Sequence, residues 1–588
     1  MKSQLDLHLL IAEDQLEQLG VPASRDLATM RSRTEHEGEE FLTLTLPKLG
    51  PLLEEGLASG RLPLSSPIGF NRWKKNSQLP AFLHGLWRLV FSDDGYILDT
   101  PSPDAVRALR QIFYLHSKLK ELPTPDKVEA ALQQYVETDK AIDNSMPEGL
   151  RKEFLSVAKD LWGYDLTMME RRLSRETFLR HAKHGPGVVS DKSVTSNGKW
   201  TVREWTDRLQ RVFPFYEYLT HRPLTREMID EYCLHLPGQE PPARVITVPK
   251  TAKGPRIITA EPVYNQFIQQ GLSAEFERWM FQRRSVSYEY QTPNQELARE
   301  GSISGEWATL DLSEASDRLS LGIVKLLLRR YPVIHDSVLA CRSQRSVLPD
   351  GTTVLLRKFA SMGSALTFPI ETLVFATIAA MGMRRKYPKM TKVAIENNLR
   401  VYGDDIIVPT DCTQDVVDCL ESFGLRVNRH KSFSEGNFRE SCGGDFFMGS
   451  RVVPVRARRR LPQHRGNVEE LVAMVAFRNL YWEQYGPTKA VASLDAYIRR
   501  LIPFPAGPRD TSALVRWDFS FVPDGTKKET QVPYVYAARP LYSYRGDPLD
   551  GDSALLKFFW TPFQEDPKHL QRAGRPIASK ITIGKVSL

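Results

Sequence analysis

Val401-Tyr402-Gly403-Asp404-Asp405-Ile406-Ile407-Val408 reads as a tight hairpin with an acidic tip. Apolar strand formers flank a glycine and two aspartates, the residue types that tolerate the backbone of a short turn. Such a turn carries two carboxylates out together at the end of two buried strands. Neighbouring carboxylates repel one another unless a cation lies between them. Hard oxygen donors suit magnesium. The tripeptide alone is weak, since about one chain in ten of this length would hold it by chance. An ordinary surface turn would read the same way.

Three other blocks sharpen the reading. Thr309-Leu310-Asp311-Leu312-Ser313-Glu314-Ala315-Ser316-Asp317 puts Asp311 at the end of an apolar strand that opens into a helix. An acid there is costly if buried alone. Beside the hairpin tip it supplies the third carboxylate of a two-metal site, although a helix N-terminal acid reads similarly. Ser361-Met362-Gly363-Ser364-Ala365-Leu366-Thr367 is a small-residue loop before a helix, and its glycine permits close backbone approach. Arg244, Lys250, Lys253 and Arg256 lie on two strand-like segments around a Lys-Gly-Pro turn. They are candidates to meet a triphosphate, or form a solvated basic hairpin.

Working outward, the region before Pro241 reads as mostly helical, with helical spacing from Pro103 to Leu122 and from Lys127 to Val136. Leu62-Pro63-Leu64-Ser65-Ser66-Pro67 is a joint, and His184-Gly185-Pro186-Gly187 begins a loop running to about Gly198. Strands are expected at Arg244–Val248, Trp307–Leu312 and Phe446–Val455, and a hairpin at Leu399–Val408. Helices are expected at Leu319–Arg330, Thr367–Met383 and Asn467–Gln484. The last hundred residues read as proline-rich and irregular, with a basic tail of Arg572, Arg575, Lys580 and Lys585. The order of elements predicts an α+β fold with helices on one face of the sheet.

The chain has 588 residues and a formal net charge of +8, so it should hold several subdomains and suits a polyanionic partner. Five scattered cysteines and no CxxC pair argue against a disulfide framework or a zinc site, and fit a reducing compartment. Asp6, Glu13 and Asp14 interrupt the leucines of the N-terminus, so no secretory signal is expected. The longest apolar run, Leu373 to Met383, falls short of the roughly 18 residues of a membrane span, so no membrane partner is expected.

The order of these blocks resembles the palm motifs of viral RNA-directed RNA polymerases. It is most similar to the replicase beta subunits of single-stranded RNA bacteriophages, the levivirus family. Five stretches carry the resemblance: Asp311–Asp317, Ser361-Met362-Gly363, Thr367-Phe368, Tyr402–Ile407 and Lys431–Gly443. It implies a right-hand polymerase with fingers, palm (antiparallel sheet plus helices) and thumb. Residues 1–240 would form the N-terminal region and part of the fingers, 241–456 the palm with inserted fingers elements, and 457–588 the thumb and C-terminal region.

The resemblance further implies that Asp311, Asp404 and Asp405 bind two magnesium ions, with manganese as a substitute. Arg244, Lys250, Lys253 and Arg256 would contact nucleotide phosphates. Gly363 and Thr367 would place template and substrate, and Lys431 would protonate the leaving pyrophosphate. Ser316 leaves room for a ribose 2′-hydroxyl, and Asp317 stands six residues after Asp311 where many families use five. The position of a common motif asparagine is Glu371. The implied partners are single-stranded RNA template and product, and ribonucleoside triphosphates. Host elongation factors Tu and Ts and a small-subunit ribosomal protein are implied as well, in the cytoplasm of a bacterial host cell. A reverse transcriptase, or a non-catalytic RNA-binding protein of palm-like fold, are the alternatives.

Overall fold

The computed structural model describes residues 3–64, 69–175, 179, 181–185, 187–220, 225–518, 520–543, 548–560 and 577–588. Ser65, Ser66 and Pro67 of the proline joint, Pro186 of the glycine loop, and Arg572 and Arg575 of the tail lie outside the described residues.

An antiparallel three-stranded sheet lies at the centre, in the order Trp307–Asp311, Asp405–Pro409, Arg400–Tyr402. Its strands form because Ala308, Leu310, Val401, Ile406, Ile407 and Val408 all become buried. The Thr367–Lys386 helix is buried at every position from Pro369 through Met383, and only Phe368 and its basic end reach solvent. That is why its sequence is apolar all round rather than striped. The same core takes in the long Glu148–Arg175 helix and the Val263–Met280 helix.

A second sheet contains the basic hairpin, Ala243–Thr251 against Gly254–Ala260, extended by Arg345–Val347 and Thr353–Leu355. A third is the meander Phe438–Ser441, Gly444–Phe447, Ser450–Arg451. The Phe446–Val455 strand expected from sequence is therefore shorter and broken. Met448 and Gly449 both take positive φ and turn the chain there. The helix expected over Pro103–Leu122 stops at Tyr114, while that at Lys127–Val136 extends over Pro125–Lys140.

The C-terminal region is less irregular than its prolines suggest. Pro533–Ser543 pairs antiparallel with Ile577–Ser587 along its whole length, with a bulge between Leu541 and Tyr542. Pro533–Ser543 is the middle strand of this sheet, with the short strand Gly525–Thr526 pairing Pro533 and Tyr534 on its other side.

The N-terminal helices do not form a separate core. Leu9 to Phe113 share one buried cluster with Phe433, Phe438, Phe447 and Val452. Leu7, Ile11 and Leu115 share another with residues from Val455 to Ala538. No helix among the described residues is long and apolar enough to cross a membrane.

Candidate active site

The hairpin and the Asp311 strand meet in register. Asp311 is the cross-strand partner of Asp405, and Thr309 of Ile407, so the acids end adjacent strands at the same edge. Tyr402 pairs with Asp405, which leaves Gly403 and Asp404 as a two-residue loop. Gly403 has φ +61° and Asp404 is not among the positive-φ residues, the pattern of a turn with glycine first. A side chain at Gly403 would also meet the Phe368 ring at 2.6 Å. Asp404 is exposed at the tip, and Asp311 and Asp405 are half-buried beneath it.

The outer edge of the Asp311 strand is closed by the segment before Phe433. The Asn428 amide group donates to Asp311 Oδ2 at 2.8 Å, and its backbone N–H donates to the Asp311 carbonyl at 2.8 Å. Ser432 Oγ accepts from the Asp311 N–H at 3.1 Å. Asp405 is held from the other side by the turn that follows Phe438–Ser441. Its Oδ1 accepts from Ser441 Oγ at 3.3 Å and from the Cys442 N–H at 3.2 Å. Neither contact was visible in the sequence: Asn428 carries no local signal, and Ser441 and Cys442, though within the Lys431–Gly443 stretch, reach the acids only through the fold.

The electrostatics are those of acids crowded together. Burial raises the Asp311 carboxyl, Lys431 opposes, and Asp404 adds to the rise. Burial and then Asp404 push Asp405 up to about 6. Lys431 is lowered by burial but raised more by Glu440, Asp311, Asp405 and Asp404, so it stays above an ordinary lysine. Its Nζ lies 3.9 Å from Glu440. Lys250 is lowered by burial, then by Arg256 and Lys431, against Asp311 and Asp404. Lys431 and Lys250 therefore both stand within the field of the aspartates.

The other expected site residues divide. Arg256 neighbours Lys250 and is exposed, as is Lys253 at the turn. Arg244 is committed elsewhere: its guanidinium donates to the carbonyls of Ser190 at 2.8 Å and Val189 at 3.0 Å, bracing the glycine loop. Lys199 Nζ holds the start of that loop, donating to the carbonyls of Gly185 and Gly187 at 2.6 and 2.5 Å. Ser316 is buried. Asp317 is paired at 2.9 Å with the fully buried Lys358, which lies 3.5 Å from the Tyr135 ring centroid. Lys358 was missed in the sequence. The Thr367 hydroxyl donates to the Ser361 carbonyl at 2.9 Å and so closes the small-residue loop on itself. Gly363 has φ +132°, and a Cβ there would lie 2.0 Å from the Thr259 carbonyl oxygen. Glycine is what lets this loop lie flat on the basic hairpin, where the Thr259 N–H donates to the Met362 carbonyl at 2.8 Å.

Glu371 is buried under the tip, and its Oε2 has no partner among the described residues. Burial, then Asp404 and Asp317, hold its carboxyl well above the ordinary 4.5. Below that ordinary value both folded and unfolded chains carry the proton, and nothing is lost. As pH rises past it, only the unfolded chain ionises, so stability falls until the folded-state pKa is reached. Glu371→Gln removes that cost. The variant should melt above the parent near pH 7, with an advantage that fades toward about pH 4. An equal advantage at both would rule out a neutral buried carboxyl.

A magnesium pair suits the donor set: three carboxylates at one strand edge, two of them raised by burial and mutual repulsion. Among the described residues no three His, Cys, Asp or Glu side chains are already drawn together as a metal-holding group. The aspartates are neighbours by register. All five cysteines are free thiols.

The family model for "RNA replicase, beta-chain" matches residues 222–475. The RNA-directed RNA polymerase subunit beta of Enterobacteria phage SP is 40% identical over 216 residues, 37% of this chain and 36% of that protein. That of Escherichia virus Qbeta is 37% identical over 218 residues, 37% of this chain and 36% of the relative. The RNA-directed RNA polymerase beta chain of Escherichia phage MS2 is 35% identical over 212 residues, 36% of each. The match thus spans about a third of the length of these relatives. A solved structure, the BmCPV RNA-dependent RNA polymerase at elongation state, aligns over 59% of this chain and 33% of its own. Its TM-score is 0.39 at 10% identity. The segment that holds all three aspartates, residues 222–475, is thus the part of the chain that is similar to the RNA replicase beta-chain family.

Proposed function

We propose that the protein is an RNA-directed RNA polymerase that copies an RNA template by nucleotidyl transfer. The observation that carries this is the register that sets Asp311 beside Asp405 under Asp404. The relatives' names support it.

In this reading Asp311, Asp404 and Asp405 hold two magnesium ions, or manganese in their place. The ions, when bound, would activate the 3′-hydroxyl and offset charge on the leaving pyrophosphate. Lys250 and Arg256 meet the triphosphate, with Lys253 at the hairpin turn. Arg244 acts through the loop it braces. Lys431, kept protonated by the surrounding carboxylates, gives its proton to the departing pyrophosphate. Ser316 and Asp317 border the ribose, and Gly363 and Thr367 shape the loop that places template and substrate.

Residues 1–240, 241–456 and 457–588 are assigned to N-terminal region with part of the fingers, palm, and thumb. The relatives are named as beta subunits or beta chains, which supports assembly with further chains. Elongation factors Tu and Ts and a ribosomal protein in the bacterial cytoplasm are the partners proposed.

The test is synthesis by the purified chain on one RNA template, with and without bacterial extract, supplied with either rNTPs or dNTPs. Magnesium-dependent product from rNTPs is expected, slowed by Lys431→Met. Preferred use of dNTPs would hand the site to a reverse transcriptase. RNA binding with no product in either arm would leave a non-catalytic binder.

A further inference from the structure

Lys431 has basic neighbours that the site described above does not use. The chain just after the Pro103–Tyr114 helix runs beside the segment from Val455 to Arg458. The Ala457 N–H donates to the Leu115 carbonyl, and the Lys120 N–H to the Arg458 carbonyl, each at 2.9 Å. Val455 and Ala457 are buried, whereas Arg456 is half-exposed and Arg458 exposed. Lys118 and Lys120 are exposed on the adjoining segment. Arg456 lies 5.4 Å from the Tyr114 ring centroid, and its Nε is buried without a partner among the described residues.

These cations form no ion pair among the described residues, although Asp445 and Glu440 lie within the field of Arg456. Among the described residues, none of Lys118, Lys120, Arg456 and Arg458 has a carboxylate within salt-bridge distance. The next two arginines do: Arg459 pairs with Glu469, and Arg460 with Glu39 at 2.8 Å and Glu121 at 2.6 Å. Although Lys118 is exposed, the atoms crowded around it desolvate its ammonium and lower it first, followed by the like charges of Arg456, Lys431 and Arg458, with Glu440 opposing. Gathering like charges costs free energy that a bound polyanion returns.

We propose that Lys118, Lys120, Arg456 and Arg458 continue from Lys431 as a surface that binds the phosphate backbone of a single-stranded RNA segment. The identity of the polyanion rests on the polymerase reading. A strand suits the surface better than a nucleotide does. Outward cations two residues apart repeat at about 6–7 Å along an extended segment. RNA offers a repeating charge, whereas a triphosphate is one compact cluster, which Lys250 and Arg256 already face. The surface also gives the N-terminal region a place in the site, through Lys118 and Lys120.

The experiment is fluorescence anisotropy of a labelled single-stranded RNA oligonucleotide with the full chain, across a salt series. Each phosphate contact contributes about 0.7 to the slope of log affinity against log salt. The double variant Lys118→Gln, Arg458→Gln should lower the slope by about 1.4, and Lys120→Gln alone by about 0.7. Arg459→Gln, which alters an already paired charge, should leave it unchanged. Melting curves establish that each variant is folded. Unchanged slopes in folded variants would overturn the surface. So would a several-fold rise in nucleotide KM with no change in slope, which would give it to the triphosphate. A lowered slope in a chain that makes no RNA would keep the surface and remove the polymerase reading. Synthesis with unchanged slopes would do the reverse.

Discussion

Asp404→Asn is expected to slow nucleotide addition by about a thousandfold or more while leaving RNA affinity nearly unchanged. The replacement keeps the shape of the side chain, and Asp404 is exposed at the tip, so the hairpin loses no packing. What it loses is the charge at the centre of the acid cluster. Asp404 raises the carboxyls of both Asp311 and Asp405, so their affinity for protons should fall toward ordinary values in the variant. Affinity for RNA, dominated by backbone phosphates, depends on cations elsewhere. Single-turnover incorporation at saturating magnesium, beside an RNA-binding titration, separates the two quantities. Turnover close to that of the parent would remove the proposed site.

The second large effect concerns stability. Arg110→Met should cost about 3–5 kcal/mol, because it leaves buried carboxylates without their counter-charge. Arg110 is fully buried and donates to both Glu54 and Asp445. Glu54 also accepts from the Tyr114 hydroxyl at 3.0 Å. Asp445 sits on the strand that pairs with Glu440, next to the turn whose Ser441 and Cys442 hold Asp405. Loosening Arg110 should therefore disturb the acid site as well as the fold. Chemical denaturation measures the loss. Adding Glu54→Gln and Asp445→Asn to Arg110→Met should recover much of it, since the same pocket then holds no charge. A triple variant as unstable as the single one would show that packing, and not charge, sets the cost.

The acid site was legible because its signals are local. An aspartate closing an apolar strand, and a Gly-Asp-Asp between apolar strand formers, each state their position within a few residues. Their adjacency follows from strand pairing, in which Asp311 and Asp405 are cross-strand partners. Arg244 shows where such reasoning ends. Its place on the basic hairpin was correct, but a guanidinium can satisfy carbonyls as well as phosphates, and the loop carbonyls that claim it lie far off in sequence. Lys358 is similar: a lysine with no local pattern becomes the buried counter-ion of Asp317. The pair Pro533–Ser543 and Ile577–Ser587 was hidden because proline content argues against strands and the partners are distant along the chain. The Phe438–Ser441 strand was hidden because its four residues, Phe-Arg-Glu-Ser, show no alternation of apolar and polar residues and are buried on both faces.

The mixed cores set a timetable for biosynthesis. Leu7 and Ile11 pack with residues as late as Ala538, and the helices around Leu53 and Phe113 with Phe438 and Phe447. At about 5–20 residues per second, a ribosome needs roughly half a minute or more to deliver those late partners. Until then the N-terminal helices can pack on one another but lack the late residues that complete their clusters. Residues near Leu7 and Leu53 therefore complete their packing only after partners hundreds of residues further along have been made.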